Sequence, residues 1–123
     1  MQRILIVEDS ATMRSLLASA LTDLGTPVEI TEAASGFEAL RLLPREPFDL
    51  ILTDINMPDI NGLELVRFIR DSETHKRTPL VIISTDGREA DRDRGIKLGA
   101  DAYLTKPFEP EQLVEIVRTL IKF

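Results

Sequence analysis

The stretch Phe48-Asp49-Leu50-Ile51-Leu52-Thr53-Asp54, with the turn Ile55-Asn56-Met57-Pro58-Asp59-Ile60-Asn61-Gly62 behind it, decides how this chain folds. Leu50, Ile51 and Leu52 make an unbroken apolar run, the pattern of a strand buried on both faces, as in a parallel sheet. The run delivers a carboxylate, Asp54, to the point where the strand stops, because Pro58, Asn61 and Gly62 are turn formers. In open α/β sheets, ligands and chemistry gather beyond the carboxyl ends of such strands. One Asp at a strand end proves little, so the rest of the chain has to supply its partners.

Upstream, Arg3-Ile4-Leu5-Ile6-Val7 predicts a buried strand, followed by Glu8-Asp9-Ser10 with Ser10 placed to cap a helix. Met13, Leu16, Leu17, Ala20, Leu21 and Leu24 recur at spacings of three and four and predict the apolar face of that helix. Gly25 and Pro27 stop it. Residues 28–32 alternate apolar and polar around Val28 and Ile30, which predicts an edge or half-exposed strand. Ser35-Gly36 opens a second helix carrying Phe37, Leu40 and Leu43, and Pro44 and Pro47 end it.

Downstream, Asn61 can cap a helix bearing Leu63, Val66 and Ile69, and a polar loop over 71–78 follows. Leu80-Val81-Ile82-Ile83 is the most apolar strand and runs into Ser84-Thr85-Asp86-Gly87. Residues 88–98 predict the weakest helix: no large apolar residue precedes Ile96, and Gly95 costs about 1 kcal/mol relative to Ala. Gly99 caps it. A short strand over 101–105 leads into Lys106-Pro107. Leu113, Ile116, Val117, Leu120 and Ile121 stripe the last helix, with Glu109 and Glu111 at its positive end.

Five strands alternating with five helices imply βαβ units, right-handed crossovers and a parallel sheet covered on both faces. The crossovers place every strand's carboxyl end on one rim. That rim collects Glu8, Asp9, Asp54, Ser84 and Lys106 from four different strands. Three carboxylates there repel unless a cation neutralises them, and hard oxygen donors suit Mg²⁺. Lys106 supplies a point charge for a phosphoryl oxygen, and Ser84 a hydroxyl that can donate to it. One chemistry uses all these parts: Asp54 attacks a phosphoryl group and retains it as an acyl phosphate. Taken singly, each motif is more often structural: a helix cap, a turn, a surface lysine. Four of them at four strand ends favour the joint reading.

The 123 residues suit one compact domain, 1–123. A formal net charge of −6 argues against non-specific binding to nucleic acid or to an anionic membrane. The absence of cysteine excludes disulfides and thiol chemistry and fits a cytoplasmic location. The apolar run from Ile4 to Val7 is too short for a signal peptide, and no run approaches the roughly 20 apolar residues of a membrane span.

With these residues in place, the chain resembles the response-regulator receiver domains of two-component signalling. The resemblance covers it from Ile4 to the last helix, through Glu8-Asp9, Asp54 with Met57-Pro58 and Gly62, Ser84, and Lys106-Pro107. Ser10-Ala11-Thr12-Met13-Arg14 is similar to the single-domain chemotaxis members. The resemblance implies a flavodoxin-like (βα)5 fold with strand order 2-1-3-4-5. It implies that Asp54 is the phosphoacceptor, that Asp9 binds Mg²⁺ directly and Glu8 through water, and that the Asn56 backbone carbonyl is a further ligand. Ser84 would contact the phosphoryl group, Lys106 would pair with it, the Lys106–Pro107 bond would be cis, and Tyr103 would be the switch aromatic. Asn56 and Asp86 would tune hydrolysis of the acyl phosphate.

The implied donor is a histidine kinase, and the implied output is a downstream protein bound on the face of helix 4, strand 5 and helix 5. No direct contact with nucleic acid and no membrane insertion are expected, and a monomer or weak dimer is. The domain would assist its own phosphorylation and dephosphorylation without being an enzyme acting on other substrates. Three features depart from the commoner pattern: Glu-Asp in place of Asp-Asp, Ser84 in place of Thr, and a thin, charged fourth helix. Counting from Pro79 and from Lys106 favours Ser84, with Thr85 one residue on as the alternative. The thin helix suggests an output face that is marginally ordered before phosphorylation.

Competing readings are weaker. An aspartate-nucleophile phosphatase needs a second acid two residues after Asp54, where Asn56 stands. A flavodoxin-like cofactor binder needs a phosphate loop after the first strand, where Glu8-Asp9 would repel the phosphate. A receiver acting by binding alone would not need Asp54, Asp9 and Lys106 together. An excised N-terminal receiver of a longer regulator stays open.

Overall fold

The computed structural model describes residues 1–85 and 88–121. Five strands and five helices alternate: β1 (Gln2–Val7), α1 (Ala11–Thr22), β2 (Val28–Ala33), α2 (Gly36–Leu42), β3 (Leu50–Asp54), α3 (Gly62–Asp71), β4 (Leu80–Ser84), α4 (Glu89–Leu98), β5 (Ala102–Thr105) and α5 (Pro110–Leu120). All strand pairs are parallel, in the order β2-β1-β3-β4-β5. This is the flavodoxin-like (βα)5 arrangement. β3 and β4 are buried along their whole length, as their unbroken apolar runs require, whereas the alternating β2 is an edge strand.

The sheet divides the core in two by simple alternation. Leu5, Val7, Ile51, Leu80, Ile82 and Tyr103 point to one face, where Ala39 and Leu43 of the α2 region and Leu65, Val66 and Ile69 of α3 cover them. Ile4, Ile6, Leu50, Leu52, Val81, Ile83 and Leu104 point to the other, under Leu17, Ala20 and Leu21 of α1 and Leu113 and Val117 of α5.

The predicted caps form. The side chains of Ser10, Ser35 and Asn61 accept from the backbone amides of Met13, Glu38 and Leu63 at 3.2, 3.2 and 2.8 Å. Two residues placed on apolar helix faces turn outward instead: Leu16 is 43% and Phe37 57% exposed. Leu17, Ala20 and Leu21 already fill the arc of α1 that meets the sheet, and Leu16 lies about 100° from Leu17 around the helix. In α2 the inward places go to Ala39 and Leu43.

The fourth helix forms over ten residues, with no side-chain cap at Arg88 and only Gly95 buried. Gly95 is not merely a weak helix former. A Cβ there would come within 2.7 Å of Ile82 Cδ1 and 3.6 Å of Tyr103, so its absence lets α4 approach the sheet. The loop read as simply polar holds a buried histidine. His75 Nε2 lies 2.9 Å from the Leu43 carbonyl and its Nδ1 3.1 Å from Thr78 Oγ1. Arg70 closes the same end of the sheet by donating to the carbonyls of Gly99, at 2.8 Å, and Thr78, at 2.7 Å. No helix among the described residues is long and apolar enough to cross a membrane.

Candidate functional site

The register of the sheet builds the site. Val7 pairs with Thr53, so the next residue of each chain segment, Glu8 and Asp54, emerges side by side. Asp54 pairs with Ile83 and Ser84 with Thr105, which brings the start of the β5–α5 loop, Lys106, to the same rim. Alternation then sorts the side chains. Glu8, Asp54 and Lys106 continue the rows of Ile6, Leu52 and Leu104 on the α1/α5 face. Ser84 continues the row of Leu80 and Ile82, on the face that holds Tyr103.

On the first face, Glu8 (3% exposed) and Asp54 (7%) are buried carboxylates, while Asp9 is exposed. The Lys106 ammonium lies 2.9 Å from Glu8 Oε1 and 3.5 Å from Asp54 Oδ2, so one cation serves two buried carboxyl groups. Asp54 Oδ1 accepts from the Ile55 amide at 2.7 Å and, at 3.3 Å, from the Asn56 amide. Its Oδ2 is therefore the oxygen turned toward the lysine. Glu8 Oε2 is buried and has no hydrogen-bond partner among the described residues. Burial of Glu8 and its contact with Asp54 outweigh the Lys106 charge and push its carboxyl from 4.5 up to about 7.

Glu8, Asp9 and Asp54 each offer a carboxylate oxygen, all within 4.8 Å of one another. Three hard carboxylate oxygens gathered this closely suit a divalent cation such as Mg²⁺. The orphaned Glu8 Oε2 is a second sign that the site fits a cation, because buried oxygens of this kind normally have a partner. Arg14 fixes the backbone beneath the acidic pair: its NH1 donates to the Glu8 carbonyl at 2.7 Å and its Nε to Glu32 at 3.1 Å. Periodicity gives no sign of that role.

The turn behind Asp54 is held by a close approach. The Gly62 amide donates to the Ile55 carbonyl at 2.8 Å, and a Cβ on Gly62 would strike the Asp54 carbonyl and lie 2.5 Å from Ile55 Cα. On the far side of the sheet, Ser84 is fully buried at the end of β4, and its carbonyl accepts from the Lys106 amide at 2.7 Å. Thr85 is exposed. Tyr103 is buried against Gly95, with the Arg92 guanidinium 5.7 Å above its ring. The Lys106–Pro107 bond is cis.

The family model of the response regulator receiver domain matches residues 4–118. The chain belongs to the response-regulator receiver domains. It is 39% identical to a chemotaxis protein CheY homolog of Campylobacter jejuni over 114 residues, 92% of this chain and 87% of the relative. The high-resolution structure of the chemotaxis response regulator CheY4 of Vibrio cholerae superposes with a TM-score of 0.90 at 34% identity, covering 98% of this chain and 99% of that one. The receiver domain of a Pseudomonas aeruginosa sensor histidine kinase, solved with a magnesium ion coordinated in its active-site cleft, gives 0.86 at 31% identity over 97% and 96%.

Of the residues singled out in the sequence, this receiver gathers Glu8, Asp9, Asp54 and Lys106 in one cluster. Asn56 is exposed and reaches the cluster through its amide. Tyr103 lies on the opposite face of the sheet, to which strand alternation also assigns Ser84, and Asp86 lies outside the described residues. The raised Glu8 value has a measurable consequence. Folded Glu8 stays protonated up to about pH 7, whereas in the unfolded chain it ionises near 4.5. Its contribution to stability is present below 4.5 and is lost as pH rises through about 7. In EDTA, the urea midpoint of the wild type is expected to fall over that window relative to Glu8→Gln; parallel pH curves would contradict it.

Proposed function

We propose that this receiver is a switch controlled by a phosphoryl group carried on Asp54, acting as a single domain over 1–123. The observation that carries this reading is the buried Asp54 carboxylate with its Oδ2 facing the Lys106 ammonium beside two further acids. A histidine kinase is the donor. Asp54 Oδ2 attacks the phosphorus, a P–O bond forms, the P–N bond of the phosphohistidine breaks, and its electron pair returns to the imidazole, which takes up a proton. Glu8, Asp9 and Asp54, with the Asn56 carbonyl, are the groups that would hold Mg²⁺. When bound, the cation supplies neutralisation of the charge on the phosphoryl oxygens.

The protein's own part is to hold Asp54 Oδ1 on the Ile55 amide and to turn Oδ2 toward Lys106. In the resting site Lys106 is shared by Glu8 and Asp54. A phosphoryl group on Asp54 competes for this ammonium and attracts the Ser84 hydroxyl from the other face. Ser84 pairs with Thr105, two residues from Tyr103, so a shift at Ser84 reaches the tyrosine through the β4–β5 register. Tyr103 in turn packs on Gly95 of the thinly anchored α4. The α4–β5–α5 face then changes its affinity for a downstream protein, for which a coupling of about 1–3 kcal/mol is enough.

With a small acyl-phosphate donor and Mg²⁺, the protein should gain one phosphoryl group by intact-mass measurement and none in EDTA. Incorporation that ignores EDTA would overturn the metal assignment. Tyr103 is the only tyrosine and there is no tryptophan, so intrinsic fluorescence reports on that ring alone. Lys106→Ala should still take up some phosphoryl group but lose the fluorescence change that accompanies it. A tyrosine response equal to wild type would count against the coupling route.

A further inference from the structure

The loop that follows Asp54 is fastened at two points. Its base is closed by Gly62 against Ile55. Its tip is held by Asp59, which reaches across to the start of α2. There Asp59 Oδ2 accepts from the Phe37 amide at 2.9 Å, and Oδ1 accepts from the Gly36 amide at 3.2 Å and from the Ile60 amide at 2.9 Å. Ile60 fills the space that a side chain at Gly36 would need, so the loop lies directly on the first turn of the helix. The start of α2 is itself tied to the acidic pair. The Glu8 amide donates to the Ala33 carbonyl at 3.0 Å, and the Ala34 amide donates to Glu38 Oε2 at 3.1 Å. Arg14 closes the same side by joining the Glu8 carbonyl to Glu32 at the end of β2.

These links form a belt from Glu8 through the ends of β2 and α2 to the loop carrying Asn56. We infer that Asp59 is a positioning residue: by fastening the β3–α3 loop to α2, it sets the distance between Asn56 on one side of the acidic cluster and Glu8-Asp9 on the other. This rests on the proposed Mg²⁺-dependent phosphoryl transfer for its functional meaning, but the fastening itself does not need the metal. Asp59 is an acceptor twice over for amides of another element, and those amide hydrogen bonds, the one from Phe37 foremost, hold its carboxyl below the usual range. Asparagine cannot replace it fully, because its single oxygen serves only one of the two α2 amides and its NH₂ faces the other.

The test compares Asp59→Ala and Asp59→Asn with Ser35→Ala. Ser35 caps the same helix through the Glu38 amide but does not touch the loop. Two quantities are read: exchange of the Ile55 and Asn56 amides by NMR in EDTA, and the dissociation constant for Mg²⁺. Asp59→Ala should speed that exchange and weaken Mg²⁺ about tenfold, the usual effect of removing a group that orients metal ligands. Asp59→Asn should fall between it and wild type, and it carries the test if the alanine variant does not fold. Ser35→Ala should lower the unfolding midpoint yet leave both readouts at the wild-type level. Unchanged exchange and affinity in both Asp59 variants, or equal changes in Ser35→Ala, would overturn the inference. A wild type that fails to bind Mg²⁺ would sink the functional reading, while the metal-free exchange would still decide the role of Asp59.

Discussion

Asp54→Asn takes up no phosphoryl group from an acyl-phosphate donor at any Mg²⁺ concentration: this is the largest functional effect expected of a single substitution here. The amide is close in shape to the carboxylate, and its oxygen can still accept from the Ile55 amide, so the fold is kept. What disappears is the oxygen proposed to attack phosphorus, Oδ2, and one of the three carboxylates of the cluster. A second change accompanies it. Asp54 is one of the groups that raise the Glu8 carboxyl to about 7, by placing a second carboxyl group close beside it. With a neutral neighbour, Glu8 should titrate at lower pH, so the metal-free stability loss moves to lower pH. Intact-mass measurement checks the first effect and urea titration across pH the second. Labelling at the wild-type level would remove Asp54 from the role.

Gly62→Ala is expected to be the most damaging small substitution in structural terms. The added Cβ meets backbone, the Asp54 carbonyl and Ile55 Cα, and neither can rotate away as a flexible side chain would. Either the α3 N-terminus shifts outward and loses the Gly62–Ile55 hydrogen bond, or the Asp54-Ile55 peptide moves. A loss of about 3 kcal/mol in unfolding free energy follows from overpacking at a rigid contact. Because the peptide that moves is the one carrying the phosphoacceptor candidate, phosphoryl uptake by the folded fraction should fall as well. An unfolding free energy from urea titration within about 1 kcal/mol of wild type, with normal uptake, would show that the turn yields easily. Gly99, whose φ of 120° requires glycine for a different reason, lies at the opposite end of the sheet and should cost stability without touching uptake.

Much of the site was legible because it depends on where strands end, and strand ends are local. Apolar runs bounded by Pro, Gly, Asn and Ser located the residues after β1, β3, β4 and β5, and parallel crossovers put them on one rim. What stayed out of reach were contacts made by residues distant in sequence. Arg14 and Asp59 look like ordinary surface charges until β2 and α2 are packed beside them. His75 lay inside a loop read as polar, and its burial depends on carbonyls 29 and 32 residues away. In the sequence Gly95 is only a cost to its helix, because the Ile82 and Tyr103 side chains it accommodates belong to other elements.

By itself, then, the sequence determined the alternation of buried strands and helices and the presence of three acids, a hydroxyl and a lysine at one rim. Those follow from periodicity and turn chemistry, which act over a few residues. Only the tertiary structure decided on which face each side chain falls. The register of β1, β3, β4 and β5 sends Glu8, Asp54 and Lys106 to the α1/α5 face and Ser84 with Tyr103 to the other. That division makes Lys106 the shared partner of two buried carboxyl groups, and puts Ser84 in the row of Ile82, the residue that pairs with Tyr103. A one-residue slip in any pairing would exchange the faces, and no local pattern excludes such a slip; the packing of both cores does.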